Sequence, residues 1–77
     1  MPLLDELKSN GYSVEILDVD LEDNRSEVRR WEVNAIPTFV FLEDGRERGR
    51  LIGVQSRERL LSVFQETRAH AASVFTK

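Results

Sequence analysis

Sulfur chemistry has almost nothing to work with in this chain, which has 77 residues, no cysteine and a single methionine. Thiol–disulfide exchange and thiolate nucleophiles and ligands all require a cysteine thiolate, so these residues as they stand are expected to have no redox activity. One histidine, His70, leaves little for a site of nitrogen ligands and reads as a solvated surface residue. Asp18, Asp20, Glu22 and Asp23 form an acidic cluster, but a calcium loop needs a longer, regular ligand pattern with a turn glycine. No metal and no cofactor are expected. No motif sets a base beside a nucleophile, so no catalytic residue is assigned.

Arg46, Arg48 and Arg50 alternate, and Arg57 and Arg59 follow. Such a run suits phosphate or RNA, yet no aromatic residues interleave to stack bases, and Glu43, Asp44 and Glu47 lie among the arginines. Charged side chains also guard an edge strand against aggregation. With a net charge of -3, no nucleic-acid partner is expected. Trp31 reads as a packing residue. Pro37 ends any preceding helix and starts a strand, and Gly53 turns the chain.

These residues need a scaffold, and 77 residues allow one small domain that buries roughly 60–65% of its unfolded surface. Composition, 40% apolar and 32% charged, is that of a globular domain. No apolar run approaches the ~18 residues of a membrane helix. The start, Met1-Pro2-Leu3-Leu4-Asp5-Glu6-Leu7-Lys8, lacks a basic segment ahead of an apolar stretch. The expectation is a cytoplasmic protein with no membrane partner.

Leu3, Leu4 and Leu7 at helical spacing predict a helix over 2–9, stopped at Asn10-Gly11. Residues 13–20 (SVEILDVD) are rich in β-branched residues and predict a strand. Asn24 and Glu27 have capping-box spacing, predicting a helix to about Val33 with Val28 and Trp31 inward. Residues 38–42 (TFVFL) are apolar on both faces, as in a covered strand. Asp44-Gly45 predicts a turn into an antiparallel strand over 48–53. Ser56 is a candidate N-cap for a last helix. Leu60, Leu61, Phe64, Arg68, Ala71, Ala72 and Phe75 continue at helical steps and extend that helix almost to the end.

Particular residues carry more than this generic order. Val33-Asn34-Ala35-Ile36-Pro37-Thr38-Phe39, Leu42-Glu43-Asp44-Gly45 and Gly53-Val54-Gln55-Ser56 together resemble the thioredoxin family. The family shows a V-x-x-x-P-T approach to an apolar strand, an N/D-G hairpin and a G-x-x-S lead into the last helix. Ile16 to Asp20 resembles its central strand, Trp31 its aromatic residue near the end of the third helix, and Met1 to Leu7 the helix that follows its redox motif. The resemblance covers about residues 1–66. It implies a truncated thioredoxin-like α/β fold in the order α-β-α-β-β-α and a domain over 1–66. It implies a cis peptide before Pro37, and a peptide groove bordered by Ile36, Pro37 and Gly53, in which the Ile36 backbone pairs with an extended substrate. Past the family's end, residues 67–77 read from their spacing as a C-terminal helical extension that either frays or packs on sheet surface left open or on a partner chain.

The family's W-C-x-x-C motif would end a few residues before Met1, together with the strand that leads into it. In family order that strand lies between the strands expected at 13–20 and 38–42. Its removal exposes two facing edges, and unpaired buried backbone groups cost roughly 1–3 kcal/mol each. Three solutions follow: closure of a smaller sheet within the chain, a domain-swapped homodimer, or completion by the rest of a larger protein. Two functions follow as well. The chain is the trailing part of a disulfide oxidoreductase of cell redox homeostasis, or it is a cysteine-free module that binds a protein or peptide partner, or a second copy of itself through the open strand edges.

Overall fold

The computed structural model describes residues 7–77. The predicted first helix lies partly outside the described residues; its end, at residues 7–9, is helical. It stops where expected. Gly11 takes a φ of +90°, which glycine adopts without a Cβ penalty, and the N–H groups of Asn10 and Tyr12 both return to the Leu7 carbonyl.

Strand β1 (Ser13–Asp18) follows, then a 3-10 turn (Glu22–Asn24) and helix α1 (Arg25–Arg30). Strands β2 (Thr38–Glu43) and β3 (Arg46–Ile52) form the expected antiparallel hairpin, with a register shift at Phe41/Leu42. Helix α2 (Arg57–Thr67) begins at Ser56, whose hydroxyl accepts the Arg59 N–H at 3.1 Å. The predicted cap holds.

The capping box at Asn24 does not form. Asn24 makes no cap hydrogen bond, because its Nδ2 donates instead to the Asp18 carbonyl at 2.9 Å. Glu27 is likewise engaged, accepting the Trp31 indole N–H at 3.0 Å. The helix nevertheless starts at Arg25, and it ends at Arg30 rather than near Val33 because Glu32 turns to a left-handed φ of +52° and the Val33 N–H returns to the Val28 carbonyl at 2.9 Å.

The largest departure is at the C-terminus. The helical extension expected over 67–77 is a strand, β4 (Ala71–Thr76), and α2 ends at Thr67. Arg68 turns to a left-handed φ of +61°, and the Thr67 hydroxyl donates back to the Val63 carbonyl at 2.6 Å. The chain then enters the sheet, whose order among the described residues is β1-β4-β2-β3. β4 is parallel to β1, Ser13 opposite Ala71 through Asp18 opposite Thr76, and antiparallel to β2, Thr38 opposite Phe75. A helix would have satisfied its own backbone and left the facing edges of β1 and β2 bare. A strand between them completes two ladders at once, one with β1 and one with β2. The gap anticipated from the sequence is closed by the chain's own last segment.

β4 also joins two cores. Ala72 faces Leu7, Phe41, Leu60, Val63, Phe64 and Ala69 on the side covered by α2, where Phe64 stacks on Tyr12 and meets Phe41 edge-on. Phe75, on the opposite face, packs with Leu17 and Val40 beneath Val28 and Trp31. Phe75 is wholly buried and Val54 is 91% exposed. Phe75→Ala is therefore expected to lower unfolding stability by about 3–5 kcal/mol, whereas Val54→Ala leaves the denaturation midpoint unchanged. Equal midpoints for the two variants in urea titrations would contradict the central placement of β4.

Candidate functional site

Three sequence-predicted residues, Ile36, Pro37 and Gly53, come together at one end of the β2–β3 hairpin. The Gly53 N–H donates to the Pro37 carbonyl at 2.8 Å, tying the loop before β2 to the loop after β3. The Ile36–Pro37 peptide is cis. Thr38, only 1% exposed, braces the first loop by donating its hydroxyl to the Ala35 carbonyl at 2.6 Å. Gln55 braces the second, its Nε2 donating to the carbonyls of Ile52 (3.1 Å) and Gly53 (3.3 Å).

Gly53 has a φ of +93°, and a Cβ built there would meet nothing within 4 Å. Its glycine is required by the backbone angle rather than by crowding. Among the described residues, neither the N–H nor the C=O of Ile36 has a backbone partner. Its side chain is exposed, as are those of Ile52 at the end of β3 and Val54 in the loop beyond it. The result is an apolar surface beside open main-chain groups.

Ile36 also lines a concavity of about 360 Å³ with Val19, Val28 and Val33, and with Asp20 and Lys77 at its polar edge. The Lys77 ammonium lies 3.9 Å from the Asp20 carboxylate. Lys77 was invisible as a site residue in the sequence because its segment carries helical spacing. Only the strand brings it to the end of the sheet beside Ile36. Ile52 and Val54 were missed for another reason: an exposed apolar residue at a strand end or in the loop after it has no periodic signature.

Two arginines of β3 settle into ion pairs. Arg48 pairs with Glu43 at 3.0 Å and Arg50 with Glu47 at 2.7 Å. Arg50 does more, since its guanidinium also donates to the Trp31 carbonyl at 2.6 Å. That bond fastens the end of α1 to β3 and so fixes where the 31–37 segment begins its approach to Pro37. Trp31 is a packing residue here, with its indole under the Arg30 guanidinium at 4.7 Å. Among the described residues no group of three or more His, Asp or Glu side chains could hold a metal ion, and no helix is long and apolar enough to cross a membrane.

The protein-family model described as Thioredoxin matches residues 1–66. Thioredoxin H-type 1 of Nicotiana tabacum is 35% identical over 57 residues, covering 74% of this chain and 45% of the relative. An Arabidopsis thaliana protein, Thioredoxin-like protein CXXS2, is 36% identical over 58 residues, 75% of this chain and 38% of the relative. A thioredoxin of Staphylococcus aureus is 32% identical over 66 residues, 84% of this chain and 64% of the relative. The chain thus spans 38–64% of the length of these relatives. No solved structure gives a significant match.

The Arg50–Glu47 pair sets a pH dependence. The hydrogen bond from Arg50 holds the Glu47 carboxyl below its ordinary value of 4.5, against an opposing effect of burial. A carboxyl depressed on folding stabilises fully above its unfolded value and loses that contribution as pH falls through its folded one. The stability advantage of the wild type over Glu47→Gln is therefore expected to be constant well above pH 4.5 and to shrink in more acid solution. Arg50→Ala, which also releases the Trp31 carbonyl, should cost about 1–2 kcal/mol at neutral pH. Urea midpoints across a pH series check both.

Proposed function

The chain belongs to the thioredoxin family, and we propose that it acts there by binding an extended peptide or protein segment, without thiol–disulfide exchange of its own. The absence of cysteine supports the second half of this reading. The open backbone of Ile36 supports the first: an N–H and a C=O without backbone partners, held in place by the Gly53–Pro37 bond and flanked by exposed Ile52 and Val54. An extended segment adds to such an edge by main-chain hydrogen bonds and gains specificity from the side chains beside it. The segment's partners would be the Ile36 amide and carbonyl, with Pro37 and Gly53 forming the walls. The concavity between Ile36 and Lys77 would take one apolar side chain. Cytoplasmic extended peptides are the partner class.

A second reading is favoured by one observation, that the chain spans only part of its relatives' length. In it, the same loops serve a dithiol supplied by residues outside these 77, as the family resemblance implies for a disulfide oxidoreductase. An in-frame W-C-x-x-C codon pattern upstream of Met1 would favour that reading over the first.

Two measurements test the proposal. In an insulin-reduction assay with thioredoxin reductase, the 77-residue chain is expected to give no turnover above background, and turnover would refute the redox half. In NMR titrations with extended apolar peptides, the amides of Ile36 and Gly53 should shift first. Ile36→Pro, which removes the donor, should weaken binding about tenfold or more. Peptides that leave both amides unmoved would sink the binding half.

A further inference from the structure

The outer edge of β1 is the feature that the proposed function does not use. Among the described residues no strand pairs with it. In a parallel ladder the N–H and C=O of one residue point to the same side, and successive residues alternate. Ser13 and Val19 direct their N–H groups at the carbonyls of His70 and Thr76, toward β4, so Val14, Ile16 and Asp18 direct theirs outward. The Asp18 carbonyl is already engaged by Asn24 Nδ2 at 2.9 Å and by the Leu21 N–H at 3.2 Å. Among the described residues, what stays open is short and defined: both groups of Val14, both groups of Ile16, and the Asp18 N–H.

The other edge of the sheet differs. β3 presents Arg46, Glu47 and Arg48 as exposed charges, the usual guard against strand addition. β1 carries a single exposed charge at its centre, Glu15, and beside it Ile16 is 46% exposed.

We propose that β1 pairs antiparallel with β1 of a second copy of this chain, on a two-fold axis passing through Ile16. This inference stands apart from the peptide-binding reading. A two-fold perpendicular to the sheet keeps each face on its own side, so residues opposite one another must share a face. Centring on Ile16 places it opposite the partner's Ile16 in a hydrogen-bonded pair that exchanges two N–H···O=C bonds. Each Asp18 N–H then reaches the partner's Val14 carbonyl. Four bonds form from the groups left open, and the occupied Asp18 carbonyl is not called upon. The same register sets Glu15 opposite the partner's Leu17. Shifting the axis by one residue, to Glu15, would set two like charges directly opposite each other, a destabilising pair. Self-pairing thus fits both the pattern of open groups and the placement of charge. The interface is small, in the range below about 1,200 Å² typical of weak complexes, and the dimer is concentration-dependent.

The absence of native cysteine makes a clean test. In the proposed register the two Cα atoms at position 16 lie about 5.5 Å apart, inside the range of roughly 4.4–6.8 Å that a disulfide spans. Those at position 15 are offset by two residues along the strand and lie about 8 Å apart. Under mild oxidation at high protein concentration, Ile16→Cys is expected to cross-link into a dimer at least tenfold faster than Glu15→Cys. Sedimentation equilibrium of the wild type should show reversible dimerisation, and Ile16→Lys, with an unchanged circular dichroism spectrum, should abolish it. A wild type that stays monomeric up to millimolar concentration would overturn the proposal. So would faster cross-linking at position 15, or a dimer that survives in Ile16→Lys. Should Ile16→Lys fail to fold, the cross-linking comparison and the wild-type mass decide alone.

Discussion

Strand β4 carries ladder hydrogen bonds along both of its sides, to β1 on one and to β2 on the other. β1 and β2 do not touch each other in the sheet. Without the strand between them, β1 on one side and the β2–β3 hairpin with α2 on the other share no ladder. Neither part contains a closed core. The buried sets on the two faces of the sheet are both anchored on β4, through Ala72 on one side and Phe75 on the other. A domain this small has little net stability to lose, so one strand's position decides whether there is a domain at all.

The functional surface inherits that dependence. Val19 and Asp20 follow the end of β1, and Lys77 follows the end of β4. All three meet Ile36 only because the two strands run parallel and in register. The 31–37 segment is held from the other direction by Arg50, whose bond to the Trp31 carbonyl crosses from β3 to the end of α1. The loop bearing Pro37 is therefore suspended between the last strand and the hairpin. Its shape follows from tertiary pairing more than from its own residues.

What could be read in the sequence divides along the same line. The hairpin was legible because Asp44-Gly45 and the apolar run before it are local signals, and so was α2, because Ser56 caps it in place. Pro37 and Gly53 were legible through the family's motifs. The end of the chain was not. Ala71, Ala72 and Phe75 sit at helical steps, yet in the structure Ala72 and Phe75 lie on opposite faces of a strand buried on both sides. A strand covered on both faces shows no alternation and cannot be told from a buried helix by spacing. Its β-forming residues, Val74, Phe75 and Thr76, were the weak clue. The deciding fact, that two other strands needed a neighbour, is not local to the segment. The missing capping box has a similar cause, since Asn24 had a tertiary acceptor at Asp18 that no local pattern announces.

The middle strand of this sheet is also later in sequence than every strand it separates. Ser13 finds its partner at Ala71, 58 positions along the chain, and all of the hairpin and α2 must be threaded around that pairing. Closing a loop of such length before any ladder forms is entropically uphill, and folds dominated by distant pairings assemble slowly for their size. During synthesis the hairpin and α2 emerge with one side of β2 bare, and they stay so until Ala71–Thr76 arrives. Assembly is thus gated by the one element that cannot form early, which leaves the nascent chain an interval in which chaperones, or a competing strand, have access to the vacant slot.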